Sequence, residues 1–274
     1  MKVGLLPQGF RFSQASLATA EVCARRFYLR YLARLRWPAA ADPAGLAREK
    51  GAARGRVFHH LVLQHMLGLP VAAEVEVQQD PVLARWWRHF LQYPPPGVPR
   101  GRVFAEIELW VPLGPWRLRA RFDQVVLDEY GGLCILDWKT GSPPPQGYLG
   151  SWQTRVYAFA GSEGGALFTG SGPVSPEQVS LCYWQAAHPA AVQWYRHGAT
   201  AHAEVRAQIE ALASRLADYG DREQFELTAD HGPCRTCEFR AYCGRGEGVG
   251  PGWEEEGEED EGDEGLAPPL EPWG

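Results

Sequence analysis

Along WRLRARFDQVVLD (116–128) apolar and polar residues alternate. Trp116, Leu118, Ala120 and Phe122 fall on one face, and Arg117, Arg119, Arg121 and Asp123 on the other, which predicts a half-buried strand. VFAEIELW (103–110) alternates in the same way, and GLCILDW (132–138) is more evenly apolar, as a central strand would be. DEYGG between the last two suits a hairpin turn. QVSLCYW (178–184) and AVQWYRH (191–197) predict two further strands. Helical spacing predicts helices over 16–36 (Ser16 as N-cap), 54–67, 81–92, 151–161 (Ser151 as N-cap) and 199–218. The Ala/Pro/Gly-rich stretch 38–51 reads as a loop. Strands mixed with helices give an α/β fold class.

The chain has 274 residues, 45% of them hydrophobic, enough for one large domain or two small ones with a real core. It contains no run of eighteen apolar residues and no signal-peptide pattern at its start, so a cytoplasmic protein is expected. The net charge of −6 hides an asymmetry. Eleven of the 33 acidic side chains and none of the 27 basic ones lie in residues 246–274. Residues 1–245 are therefore mildly basic, compatible with a polyanionic partner. The Gly-, Glu-, Asp- and Pro-rich segment 246–274 reads as a disordered acidic tail.

Arginine outnumbers lysine twenty-four to three, yet LCILDWKTG (133–141) carries Lys139 two residues after Asp137. On a strand the two point the same way, about 6.6 Å apart along the backbone. Asp123 lies on the polar face of the preceding strand. Pairing of those strands brings two carboxylates together, and a hard dication such as Mg²⁺ or Mn²⁺ would relieve their repulsion. A lysine beside such a site can orient or deprotonate water, or neutralise charge on a phosphate; arginine stays protonated. Phosphodiester hydrolysis needs this combination.

The order of carboxylate, hairpin and D-x-K resembles the PD-(D/E)XK nuclease superfamily. Gly55 and His59 (G-x-x-x-H), Asp123, Asp137-x-Lys139-Thr140-Gly141, then Gln153 and Tyr157 (Q-x-x-x-Y) follow the order of its RecB-type members. Ala120 stands where that family often has glycine. The resemblance implies a restriction-endonuclease-like central mixed sheet flanked by helices, with His59, Asp123 and Asp137 on the metal and Lys139 at the reaction. Gln153 and Tyr157 would support the site or touch DNA, with Glu106 at its edge.

Cys234, Cys237 and Cys243 form a C-x₂-C-x₅-C run. A fourth ligand would come from His231, closing a zinc site, or from the distant Cys23. The latter arrangement is similar to the iron–sulfur nucleases, namely the AddB nuclease domain and the CRISPR-associated iron–sulfur exonuclease family. That resemblance implies a 4Fe–4S cluster held by Cys23, Cys234, Cys237 and Cys243 that joins both ends of a 1–245 nuclease domain. It also implies action on DNA, on single strands or ends. A separate helicase or CRISPR adaptation proteins would be partners. The chain itself has no G-K-[ST] of a Walker A motif. A non-catalytic iron–sulfur DNA-binding module is the rival reading. Arg25, Arg26, Arg30 and Arg34, interleaved with Phe27, Tyr28, Tyr31 and Trp37, suit phosphates and bases of a single strand.

Overall fold

A computed structural model describes residues 4–35, 43–70, 80–141 and 147–245. The acidic tail expected over 246–274 and Trp37 lie outside the described residues. The fold class is α/β: a mixed six-stranded sheet flanked by helices on both faces. Its strands are β1 (Arg11–Phe12), β2 (Gly101–Leu113), β3 (Trp116–Asp128), β4 (Leu133–Lys139), β5 (Val179–Gln185) and β6 (Gln193–Arg196). They run in the order β1-β3-β4-β5-β6, with β2 also on β3. β1–β3 and β4–β5 are parallel; the other pairs are antiparallel.

One face buries α1 (Gln14–Val22), α2 (Ala24–Phe27), α5 (Trp152–Glu163) and α7 (Ala199–Ala217) around Leu17, Phe27, Val156, Phe159, Ile209 and Leu216. A short α6 (Ala166–Thr169) adds Phe168. The other face carries α3 (Pro43–Met66) and α4 (Pro81–Gln92), whose Phe58, Leu61 and Trp86 pack on Leu136, Trp138 and Trp184. Trp184 stacks on Phe58 at 6.3 Å. β4 is buried along nearly its whole length, as its even apolarity predicts. Among the described residues no helix is long and apolar enough to cross a membrane.

Two expected elements differ. The helix over 16–36 begins one residue after Ser13, the true N-cap, whose side chain and that of Ser16 cap each other's backbone. It then breaks at Cys23, which is extended (φ −158°) and caps α2 through its own sulfur, 3.4 Å from Arg26 N. A π turn follows at Tyr28–Leu32. Hydrophobic spacing carries no sign of such a break, because every residue in the stretch tolerates a helix. The loop expected over 38–51 is helical from Pro43. Proline at a helix start has no amide to satisfy, and the Ala, Leu, Arg, Glu and Lys that follow are good helix formers.

Candidate active site

β3 has a divided edge. Residues 124–127 pair with β4, whereas Arg117 and Leu118 pair with β1. Between them β4 parts from β3, and Trp138 N donates to Asp123 Oδ2 at 2.8 Å instead of to a neighbouring strand carbonyl. The pleat also inverts here. On β3, Leu118, Ala120 and Phe122 face the α5 side, but beyond Asp123 it is Val125 that does so, and Val126 faces α3. On β2 the same inversion falls between Phe104 and Ile107, at Glu106, whose φ is +50°. That left-handed conformation is uncommon outside glycine and stores strain. The register on either side, Ala105↔Gln124 and Ile107↔Phe122, sets Glu106 across from Asp123.

Groups from both faces of the sheet meet through this split. From α3, His59 Nδ1 comes within 3.3 Å of Asp123 Oδ1. From α5, Gln153 Nε2 donates to Asp137 Oδ1 at 2.9 Å. Lys139 Nζ lies 3.2 Å from Asp137 Oδ2 and over the rings of Tyr148 and Tyr183, at 5.4 and 5.9 Å. Gln153 Oε1 is buried without a hydrogen-bond partner. Tyr157 packs edge-on against Phe122, next to Asp123, with ring centroids 5.0 Å apart. Gly55 explains itself: a Cβ there would stand 2.9 Å from Thr140 Oγ1, so glycine lets α3 approach the loop after Lys139 closely enough to deliver His59.

The electrostatics suit a cation. Ligand atoms of His59, Glu106 and Asp123 all lie within 4.8 Å of one another; Asp137 adjoins this trio but is not one of the three. Burial disfavours a charged His59, but Asp123, Asp137 and Glu106 together outweigh it and raise the imidazole to about 9. Burial also opposes ionisation of Asp123, yet His59 and the Trp138 amide hold its carboxyl below the usual range. Glu106 is pushed up by burial and then by Asp123, although Arg121 grips it at 2.8 Å. Three carboxylates thus converge where imidazolium and ammonium supply the positive charge that a hard dication would supply instead. Oxygen and imidazole donors fit such an ion. The sequence placed Glu106 only at the edge; the alternation of 103–110 against 116–128 was the available signal, but the left-handed turn of its backbone was not readable.

Away from β3 and β4, the segment around Cys23 meets residues 225–243. Cys23, Cys234, Cys237 and Cys243 are half-buried, whereas Cys134 and Cys182 are buried thiols pushed by desolvation to about 11 and 12. Cys243 is raised by burial and then by its neighbours Cys23 and Cys234, and Arg245 donates to Cys234 Sγ at 3.2 Å. Arg26 and Arg30 grip Glu238 at 3.0 and 2.8 Å, and Arg25 Nε donates to the Phe225 carbonyl at 2.6 Å. Phe27 is buried and Tyr28 stacks near Phe225. This part of the arginine–aromatic stripe, expected from sequence to suit a single strand, therefore fastens the chain's own C-terminal segment. A tetrahedral zinc at about 2.3 Å needs its sulfurs about 4 Å apart. Among the described residues no trio of these thiols, with or without His231, lies within 4.8 Å.

Comparison with known proteins agrees with the geometry. No curated protein matches the chain. Among solved structures, SSO0001 is 13% identical over 85% of each chain, with a TM-score of 0.36. A protein from Eubacterium rectale, provisionally named an exonuclease, is 11% identical over 75% of this chain and 79% of its own, with a TM-score of 0.42. Likeness at this level adds nothing to the fold already described. The family profile is decisive: that of the PD-(D/E)XK nuclease superfamily matches residues 11–244, and the chain belongs to that superfamily.

Proposed function

We propose that the protein is a Mg²⁺- or Mn²⁺-dependent deoxyribonuclease, an exonuclease acting on single strands or ends in DNA repair, recombination or foreign-DNA processing. The observation that carries this reading is the meeting of His59, Glu106, Asp123, Asp137 and Lys139 where β4 parts from β3. His59, Glu106 and Asp123 would hold the dication, with Asp137 beside them. When bound, it supplies Lewis acidity toward the scissile phosphate and a more acidic water. The chain's own part is orientation and charge. Gln153 fixes Asp137, Asp137 and two tyrosine rings fix Lys139, and the Lys139 ammonium neutralises charge that grows on the phosphate oxygens. Tyr157 buttresses Phe122 and so the turn of β3 into Asp123.

Asp123→Ala and Lys139→Ala should each lower the rate on a single-stranded oligonucleotide with Mn²⁺ at least ~100-fold, the scale of losing one preorganised charge. Far-UV circular dichroism should remain unchanged. A wild type that cuts no DNA with Mn²⁺ or Mg²⁺ would refute the enzyme. Retention of both Asp137 and Lys139 in this geometry argues against the non-catalytic module. Service as a CRISPR spacer-acquisition partner uses the same site, and gene neighbourhood separates it from repair. The four cysteines are proposed to hold a 4Fe–4S cluster that clasps the two ends of the 1–245 domain.

A further inference from the structure

Among the described residues, the pleat inversion leaves a bare polar face. α3 and α4 cover β4, β5 and the last turns of β3, and no residue of β3 before Asp123 belongs to that buried layer. Arg117, Arg119 and Arg121 therefore project on the uncovered side, and across the hairpin so do Trp110 and Glu108, the partners of Arg119 and Arg121. Arg11 of β1 is in register with Arg117 and lies over the Trp110 ring at 4.8 Å. Arg119 approaches the same ring at 5.9 Å. Together Gly9, Arg11, Glu108, Trp110 and Arg117 line a depression of about 370 Å³.

We propose that this ribbon is a track for single-stranded DNA that leads into the Asp123–Glu106 site, with a base stacked on Trp110 and phosphates on Arg11 and Arg117. The proposal rests on the nuclease reading and names how that site receives its strand. Four observations favour this occupant. The arginines recur every second residue, a stride of about 6.6 Å. Successive phosphates along a nucleic-acid strand are spaced about as far apart, so each arginine can meet one phosphate. Arg11, Arg117 and Arg119 face one carboxylate, Glu108, before the site is reached, where Arg121 already pairs with Glu106. Among the described residues Glu108 pairs with Arg119, at 2.7 Å, where a phosphate can compete for the guanidinium. Among the described residues neither Arg11 nor Arg117 has an ion-pair partner, and both are exposed. The track is continuous with the site: from Arg117 to Asp123 is about 20 Å of one strand. A half-exposed tryptophan flanked by two arginines is also the pairing of stacking platform and phosphate contact that single-strand binders use.

The test is fluorescence anisotropy of a labelled twenty-residue oligothymidylate in EDTA, with the full chain. Trp110→Ala should weaken binding roughly five- to a hundredfold, and Trp110→Phe should retain most of it. Arg11→Ala/Arg117→Ala, both surface changes, should reduce the slope of log affinity against log salt by about 1.4. Arg215→Ala, exposed on α7, should bind as wild type. Wild-type affinity and slope in both the tryptophan and the double arginine variants overturns the track, as does equal loss in Arg215→Ala. Tighter binding of a duplex, indifferent to Trp110→Ala, also overturns it. Hydrolysis with Mn²⁺ separates the two readings. If the strand binds through these residues but is never cut, the catalytic reading fails and the track stands. If it is cut while the variants bind normally, the reverse holds.

Discussion

Glu106 shows at the scale of one residue how a site can be held against the preference of its backbone. Its φ of +50° costs about 1–2 kcal/mol for a non-glycine residue. Its carboxyl is raised above the ordinary range by burial and by Asp123. A group whose folded pKa is raised destabilises the fold once it ionises, so near neutral pH the charge works against folding. Glu106→Asn keeps a side chain tolerant of that conformation and removes the charge. In metal-free buffer at pH 7 it should raise stability by up to about 1 kcal/mol in denaturant unfolding, while nuclease activity falls. A variant both less stable and fully active would contradict this account. Asp123, Asp137 and Lys139 were legible in the sequence because strand alternation fixes where side chains point. Glu106 was legible only as a polar position, since nothing in VFAEIELW announces a left-handed residue. Nor did any spacing reveal that Tyr148 and Tyr183 flank Lys139.

Among the elements, α3 matters because it must come close. Gly55 stands against Thr140 with no room for a methyl group. Helix propensity alone would credit Gly55→Ala with about 1 kcal/mol of stability; the contact works in the opposite direction. Gly55→Ala should therefore fail to stabilise, and Thr140→Ala in the same chain should recover the propensity gain. A double-mutant cycle in urea measures the coupling, and additive effects would show that the approach is not tight. Most elements were readable from periodicity, including all of the five strands beyond β1. Two-residue β1 has too little sequence for a pattern. The break at Cys23 escaped because it is made by one residue's backbone and rewarded by contacts with residues some two hundred positions away, such as Arg25 with Phe225.

For the whole molecule, two tertiary linkages set stability. The proposed cluster would join segments 211 residues apart, so holding it would help hold the fold. Anaerobically purified protein should be brown, with sulfur-to-iron absorption. Cys23→Ala should lose that colour and melt at a lower temperature; colourless, zinc-loaded wild type would refute the cluster. The resemblance to iron–sulfur nucleases suggested this junction, whereas the Glu238 clamp on Arg26 and Arg30 was not readable, because long-range ion pairs leave no local trace. A second linkage ties β6 to α7 and α5. Tyr195 Oη, His197, His202 and Glu163 form a chain of contacts at 3.3, 3.1 and 2.9 Å, and Arg206 closes it on Glu163 at 2.7 Å. Burial and then His202 depress His197 to about 4, against the pull of Glu177. With the folded pKa below the unfolded value, the unfolded chain takes up the proton first as pH falls. Stability should decline from about pH 6.5 to about pH 4, by at most a few kcal/mol. Melting temperatures of wild type and His197→Gln across that window should converge at the acid end; parallel curves would place the acid sensitivity elsewhere.

The inverted pleat at Glu106 and Asp123 has an evolutionary corollary. On either side of it the rule for which positions must be greasy is reversed. Drift that respects one half of the hairpin is therefore no guide to the other. Losing a single codon there would slide β2 out of phase and turn Trp110 and Glu108 toward the oily interior. The length of this hairpin arm should consequently be far more constrained than its letters.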